Sequence, residues 1–252
     1  MLSYQNTAWE FREKPPQIAI LPLACLEPHG PHLPISTDQL IVSEIARRVA
    51  SDLPLQTFLL PTWPLGTSWQ HAGQSGAISL RYETLWAVVG DIVHSLYDHN
   101  IRLVAVINNH GSPASSSAYP VGNLIVKTAV RQLNYEIPKL AAIWVQPFAA
   151  GREALRTLFS SIDQELHAGA VETSILMHLV PTLVGSLPPD YTTKSSPDWM
   201  NFFDFLTMAP GGVWGKPGEA TAEKGKLALD AVVRATTDYI ERSYKQLDLI
   251  KG

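Results

Sequence analysis

Between Arg102 and Asn108 the chain runs Leu103-Val104-Ala105-Val106-Ile107, without one polar side chain. A strand of that kind has no face to offer water. It belongs in the middle of a sheet covered by helices on both sides, which is the situation of a central parallel strand. Parallel neighbours need long crossovers, and the rest of the sequence supplies them. Further strands are predicted over Gln17–Leu26, Gln56–Thr62 and Lys139–Gln146. Between them lie segments of helical periodicity. One is entered at Thr37-Asp38, where Asp38 reads as a helix cap, and carries Leu40, Ile41, Ile45 and Val49. Another spans Tyr82–His99 with Leu85, Val88, Val89, Ile92 and Leu96 on one face. Helices are also predicted over Ser115–Leu133, Ala149–Ser160, Ala170–Leu179 and Glu219–Leu247. The alternation defines an α/β fold built from βαβ units around a mainly parallel sheet. Residues 180–207 carry Pro181, Pro188, Pro189 and Pro197 and read as an irregular insertion or lid. No linker divides the sequence, so residues 1–252 are expected to form a single domain.

Several classes of function are excluded by composition. The net charge is −4 and no basic run is present, which argues against nucleic acid as a partner. No apolar run reaches membrane-spanning length. Residues Met1–Pro16 are polar, with Glu10, Arg12, Glu13 and Lys14, and lack the apolar centre of a signal peptide; the expected location is the cytoplasm. The single cysteine, Cys25, cannot form an internal disulfide. Lying in the apolar run Ile18–Leu26, it reads as a small buried hydrophobe.

Three segments carry the chemistry. The first is Glu27-Pro28-His29-Gly30-Pro31-His32-Leu33-Pro34, followed by Thr37-Asp38. Glu27 and His29 are two residues apart just beyond a strand, so in extended chain they point to the same side, roughly 6–7 Å apart. Such a pair can hold two cations about 3.5–4 Å apart. Asp38 could return to bridge them; alone, an Asp there is better explained as the cap, and it is the combination with Glu27 and His29 that shifts the reading. Imidazole and carboxylate donors suit Zn, Mn or Fe. His32 is a candidate substrate contact or a support for the ligands. The second segment is Asn108-Asn109-His110-Gly111-Ser112, which ends the apolar strand. Ligands of α/β sheets bind beyond the carboxyl ends of strands, so His110 is expected to meet Glu27 and His29 on one rim. Asn108, Asn109 or backbone N–H groups near Gly111 are candidate oxyanion donors, with Asn109 the candidate substrate contact. The third is Glu165-Leu166-His167-Ala168-Gly169-Ala170-Val171-Glu172. His167 is a candidate for moving protons near neutrality, and Glu172 for orienting it or completing a metal shell. In the loop between Trp63 and Ser79, Trp69 and His71 are candidate walls of a substrate pocket.

Taken together, these segments resemble the creatininase (creatinine amidohydrolase) family. Weaker support comes from Ser75-Gly76-Ala77-Ile78-Ser79 and from the stretch between Gly215 and Gly225. The resemblance implies a three-layer α/β/α sandwich, two divalent ions (Zn, Mn or Fe) per subunit, and hydrolysis of a C–N amide bond by metal-activated water. It also implies a small amide substrate and a homohexamer. Carried over by position, Glu27 and His29 each hold one metal, Asp38 bridges both, and His110 joins the metal of Glu27. His167 becomes the proton shuttle, with Glu172 as its partner. Departures from the family pattern bear on function. Ser112, followed by Pro113, stands where creatininase supplies a further carboxylate ligand. That leaves a second reading, a catalytically impaired metal-binding or oligomeric protein of the same fold. The stretch Ile162-Asp163-Gln164-Glu165 lacks the tryptophan that creatininase places before its His-Ala-Gly, which points away from creatinine and toward formamides or a peptide C-terminus.

Overall fold

The computed structural model describes residues 1–110, 121–196, 199–200 and 202–251. In chain order the main elements are β1 (Leu2–Ser3), α1 (Ala8–Glu13), β2 (Ile18–Leu23), α2 (Thr37–Asp52), β3 (Thr57–Leu59), α3 (Tyr82–Asp98) and β4 (Leu103–Asn108). There follow α4 (Val121–Glu136), β5 (Ala141–Val145), α5 (Pro147–Ala150), α6 (Arg152–Leu158), α7 (Ala170–Leu179), α8 (Phe205–Met208) and α9 (Ala222–Lys251). The five strands form one parallel sheet in the order β1-β3-β2-β4-β5.

β2 and β4 are central and buried along their whole length. Their side chains alternate between two cores. Ile18, Ile20, Leu103, Ala105 and Ile107 pack with Ile41, Ile45, Ile175 and Val232, from α2, α7 and α9. Ala19, Leu21, Val104 and Val106 pack with Leu85, Val89, Val126 and Val130, from α3 and α4. The result is the three-layer sandwich expected of an all-apolar strand.

From β2 the chain crosses through α2 to β3 on one side, then returns through α3 to β4 on the other. The winding therefore reverses between β2 and β4. Loops leaving the carboxyl ends of those two strands diverge, and the crevice between them is where such sheets bind ligands.

Local structure departs from the sequence expectations in identifiable ways. The N-terminal segment contributes α1 and an edge strand, β1, beside β3. α2 starts at Thr37 with Ser36 as its N-cap and no side-chain cap. Thr37 Oγ1 instead donates to the Pro34 carbonyl at 2.7 Å. Asp38 is thus not the cap, and its buried carboxylate is left for other work. The predicted helix over 149–160 breaks at Gly151, where a Cβ would lie 2.9 Å from Val232 Cγ2 of α9. Of the predicted helix starting at Ser115, the part before Val121 lies outside the described residues, as do Gly111, Ser112, Pro113 and Pro197.

Candidate metal centre

The β2 exit loop delivers Glu27 and His29. Leu26 pairs with Ile78, and the Glu27 amide donates to the Ile35 carbonyl at 3.2 Å, so the loop is anchored at its start. It then turns at Gly30, whose φ of +63° and whose 2.6 Å approach to Val213 leave no place for a side chain. α2 presents Asp38 from its first turn. His110 follows β4, its amide held by Asn108 Oδ1 at 3.1 Å. A short 3₁₀ turn, Trp69–His71, turns His71 inward. His167 is fixed by paired backbone hydrogen bonds to Trp214, and Glu172 sits in the first turn of α7.

All seven side chains are buried. His110 Nδ1 lies 3.3 Å from Glu27 Oε2 and 3.2 Å from Asp38 Oδ2. His29 Nε2 lies 3.6 Å from Asp38 Oδ1 and 3.9 Å from Glu172 Oε1. Glu27 Oε1 faces His71 Nε2 at 3.7 Å and His167 Nδ1 at 3.8 Å. The His29 and His167 rings stand 4.3 Å apart, with Phe205 closing over His167 and His71 at 4.8 and 5.0 Å. Gln70, Leu166 and Met200 complete a cavity of about 10 Å³, room for about one water. A far larger groove beside β5, lined by Trp144, Lys127 and Arg131, shares no residue with this cluster.

Electrostatics show what the cluster fits. Three carboxylates, Glu27, Asp38 and Glu172, are buried, and among the described residues no Lys or Arg pairs with them. Burial by itself lowers the pKa of His29, but Asp38, Glu172 and Glu27 outweigh it and hold the ring at about 10. Burial, chiefly, pushes Glu172 up to about 7. Burial would also raise Glu27, but His110, His71 and His167 hold it well below the usual carboxylate range. Burial and the nearby His29 and His71 push His167 well below the usual imidazole range, so it is neutral near pH 7.

Divalent cations fit this donor set. His29 Nδ1 lies 3.0 Å from the Glu27 carbonyl oxygen, which can only accept, so Nδ1 carries the hydrogen. Nε2 then faces Asp38 and Glu172 at 3.6 and 3.9 Å with no hydrogen bond among the described residues, and the proton that these carboxylates hold on it is one a cation would displace. Glu27 Oε2 is likewise buried without a hydrogen bond. A histidine that donates one nitrogen to a backbone carbonyl and frees the other has the disposition of a metal ligand. Among the described residues, three sets of potential ligand atoms lie within 4.8 Å of one another: Cys25, Glu27, Asp38 and His110; Glu27, His71 and His167; and His29, His167 and Glu172.

The structure thus brings together Glu27, His29, Asp38, His110, His167, Glu172 and His71. His32 and Trp69 lie outside this group. His32 Nε2 bonds Thr173 Oγ1 at 2.9 Å and ties its loop to α7. Trp69 is half exposed, its indole donating to the Leu80 carbonyl at 3.2 Å. Asn109 precedes His110 and is fully buried, with neither amide atom hydrogen-bonded among the described residues. Glu172 Oε2 accepts from the Ala168 amide at 2.7 Å, while its other oxygen faces His29. Sequence reasoning missed Gln70, whose Nε2 is 3.4 Å from His110 Nε2, and Phe205. It also passed over Cys25, although the two-residue spacing to Glu27 was a signal.

A parallel sheet whose switch point gathers three buried carboxylates and four imidazoles defines an α/β protein with a centre suited to divalent ions. The chain belongs to the creatininase family: residues 5–240 match the family described as creatinine amidohydrolase. It is 30% identical over 237 residues to the mycofactocin precursor peptide peptidase of Mycobacterium ulcerans, covering 88% of this chain and 84% of that protein. It is 27% identical over 244 residues to the creatinine amidohydrolase of Pseudomonas putida, covering 90% of each. The solved structure "Creatininase Mn" shares the fold, with a TM-score of 0.77 at 22% identity over 96% of this chain and 98% of that one.

Proposed function

We infer that this protein hydrolyses a C–N amide bond in a small amide, a formamide or a peptide end, using two divalent ions. The observation that carries the reading is His29: its Nδ1 hydrogen is committed to the Glu27 carbonyl, and its buried Nε2 is orphaned opposite Asp38 and Glu172. On this reading Glu27, His110 and Asp38 would hold one ion, and His29, Glu172 and Asp38 would hold the other. Such ions supply Lewis acidity to a carbonyl and make water more acidic.

The chain's own groups then move the proton. His167 Nε2 lies 2.8 Å from the Pro28 carbonyl oxygen and must donate to it, which leaves Nδ1 as an acceptor facing the cavity. As the water oxygen bonds to the amide carbon, Nδ1 takes the water proton. It returns that proton to the nitrogen as the C–N bond breaks, giving a carboxylic acid and an amine. Asn109, with its amide unpaired, is assigned to the developing oxyanion. The names of the relatives, a precursor-peptide peptidase and a creatinine amidohydrolase, have the amide C–N bond in common.

The test is metal content per subunit by mass spectrometry, followed by a panel of cyclic amides, formamides and short peptides. About two ions per chain with turnover of one class is expected. One ion or none after incubation with Zn and Mn, and no turnover, would overturn the reading in favour of an impaired binding protein. That outcome would trace to Ser112, where creatininase has a carboxylate. We extend the proposal to a homo-oligomer, a hexamer on the family resemblance. Trp199, Phe202 and Phe203 are each at least half exposed and lie against one another at 5.6 and 6.3 Å. Such a patch suits burial against another subunit. A monomer in light scattering would remove this part.

A further inference from the structure

We propose that Cys25 is a ligand of the ion held by Glu27, Asp38 and His110, giving that position a sulfur donor and a preference for zinc-like ions over manganese. The proposal rests on the two-ion reading above and adds to it a residue and a selectivity.

Cys25 leaves β2 two residues before Glu27, and that spacing sends both side chains toward the same side. The residue is buried, at 1% exposure. Sγ, a Glu27 oxygen, an Asp38 oxygen and a His110 nitrogen all lie within 4.8 Å of one another. Around one tetrahedral ion, with metal–sulfur near 2.3 Å and metal–nitrogen or –oxygen near 2.0–2.1 Å, ligand atoms stand roughly 3.5 Å apart. The cluster therefore needs to contract by only about an ångström at its widest. Gly66 packs directly against the thiol. A Cβ on Gly66 would fall 2.3 Å from Cys25 Sγ, so any other residue at 66 would collide with the sulfur. The neighbouring Glu27 Oε2 is buried 3.3 Å from His110 Nδ1 and has no hydrogen bond among the described residues.

Binding exchanges the thiol hydrogen for the ion: the S–H bond breaks, the proton leaves to solvent, and a metal–sulfur bond forms. Two consequences follow. A soft thiolate favours Zn, Co or Fe over Mn, which carboxylate and imidazole alone would admit more freely. Four protein donors would also complete a tetrahedral set, which would leave His29 and Glu172 to hold the ion that meets water and substrate.

Cobalt(II) added to the metal-stripped full-length protein reads this directly. Cobalt in the site gives visible ligand-field absorption whatever its donors, and only a bound thiolate adds a near-ultraviolet charge-transfer band. Cys25 is the sole cysteine, so the band has one source. Both features are expected in the wild type. In C25S the ligand-field absorption should remain, the charge-transfer band should vanish, and the preference for Zn over Mn should fall by roughly tenfold or more. Ligand-field absorption without the thiolate band in the wild type would overturn the sulfur ligand and leave the two-ion reading standing. A protein that takes up no cobalt would overturn both.

Discussion

His167 Nε2 lies 2.8 Å from the carbonyl oxygen of Pro28, inside the same motif that supplies Glu27 and His29. A carbonyl cannot donate, so the contact fixes the tautomer: hydrogen on Nε2, lone pair on Nδ1. Nδ1 is 3.8 Å from Glu27 Oε1 and faces the centre. The ring is therefore set to take a proton before it gives one. Replacing His167 by Gln removes the shuttle without removing an assigned ligand. Turnover should fall by about 10²–10⁴-fold, with two ions still counted by mass spectrometry. Loss of the ions along with activity would make His167 a ligand instead.

Asp38 is the group that both halves of the centre share, with Oδ1 toward His29 and Oδ2 toward His110. D38N keeps the shape and removes the charge. Both ions should be lost and turnover with them. Glu27 faces His110, His71 and His167, so E27Q should lose one ion and keep part of the other. Inductively coupled plasma mass spectrometry on each variant separates the two patterns, and D38N retaining both ions would remove Asp38 as the bridge.

The frame was legible where periodicity and chemistry coincide. Leu103–Ile107 has no polar residue and is buried on both faces; Glu27 and His29 share a side of extended chain. What was not legible depended on three-dimensional turns. Trp69 and His71 looked alike in sequence, and a 3₁₀ turn sends one to solvent and the other to the cluster. Asp38 looked like a cap because capping depends on where the helix starts, and the N-cap is Ser36, two residues earlier. β1 is only two residues long, too short to show a period, and exists because β3 offers it an edge. Phe205 carried no signal for the site, since nothing in sequence brings residue 205 over residues 71 and 167.

Glu165 carries a pH signature that has no part in the chemistry. Its carboxyl is buried between Gly169 and Gly215 and accepts from the Val171 amide at 2.7 Å, pinning the start of α7. Burial is the main cause that pushes it up to about 8 from an ordinary 4.5. Between those values the unfolded chain has released its proton and the native state keeps it. The slope of stability with pH is then negative, so this group's contribution declines as pH rises from about 4.5 to about 8. E165Q presents an uncharged acceptor to the same amide. Denaturation midpoints across that interval should fall for the wild type and be distinctly flatter for E165Q. Parallel curves would show that Glu165 does not carry the effect.

Gly225 sets the distance between the two helices under the site. α9 crosses α7 so closely that a Cβ at 225 would lie 1.9 Å from the Ser174 carbonyl oxygen and 2.9 Å from the Ile175 amide nitrogen. Both are backbone atoms of the helix that presents Glu172, so no rotamer change relieves the clash. G225A must push α9 off α7 or shift α7 in the sheet layer. Alanine is otherwise the better helix former, by about 1 kcal/mol, so helix propensity predicts stabilisation and packing predicts the reverse. Overpacking costs of about 1–3 kcal/mol, and more where backbone must move, decide for the reverse. The expected result is a clearly lower thermal midpoint together with weaker binding of the ion at His29 and Glu172. An unchanged midpoint in scanning calorimetry would mean that the two helices can separate freely, and that the position of Glu172 is not set by this contact.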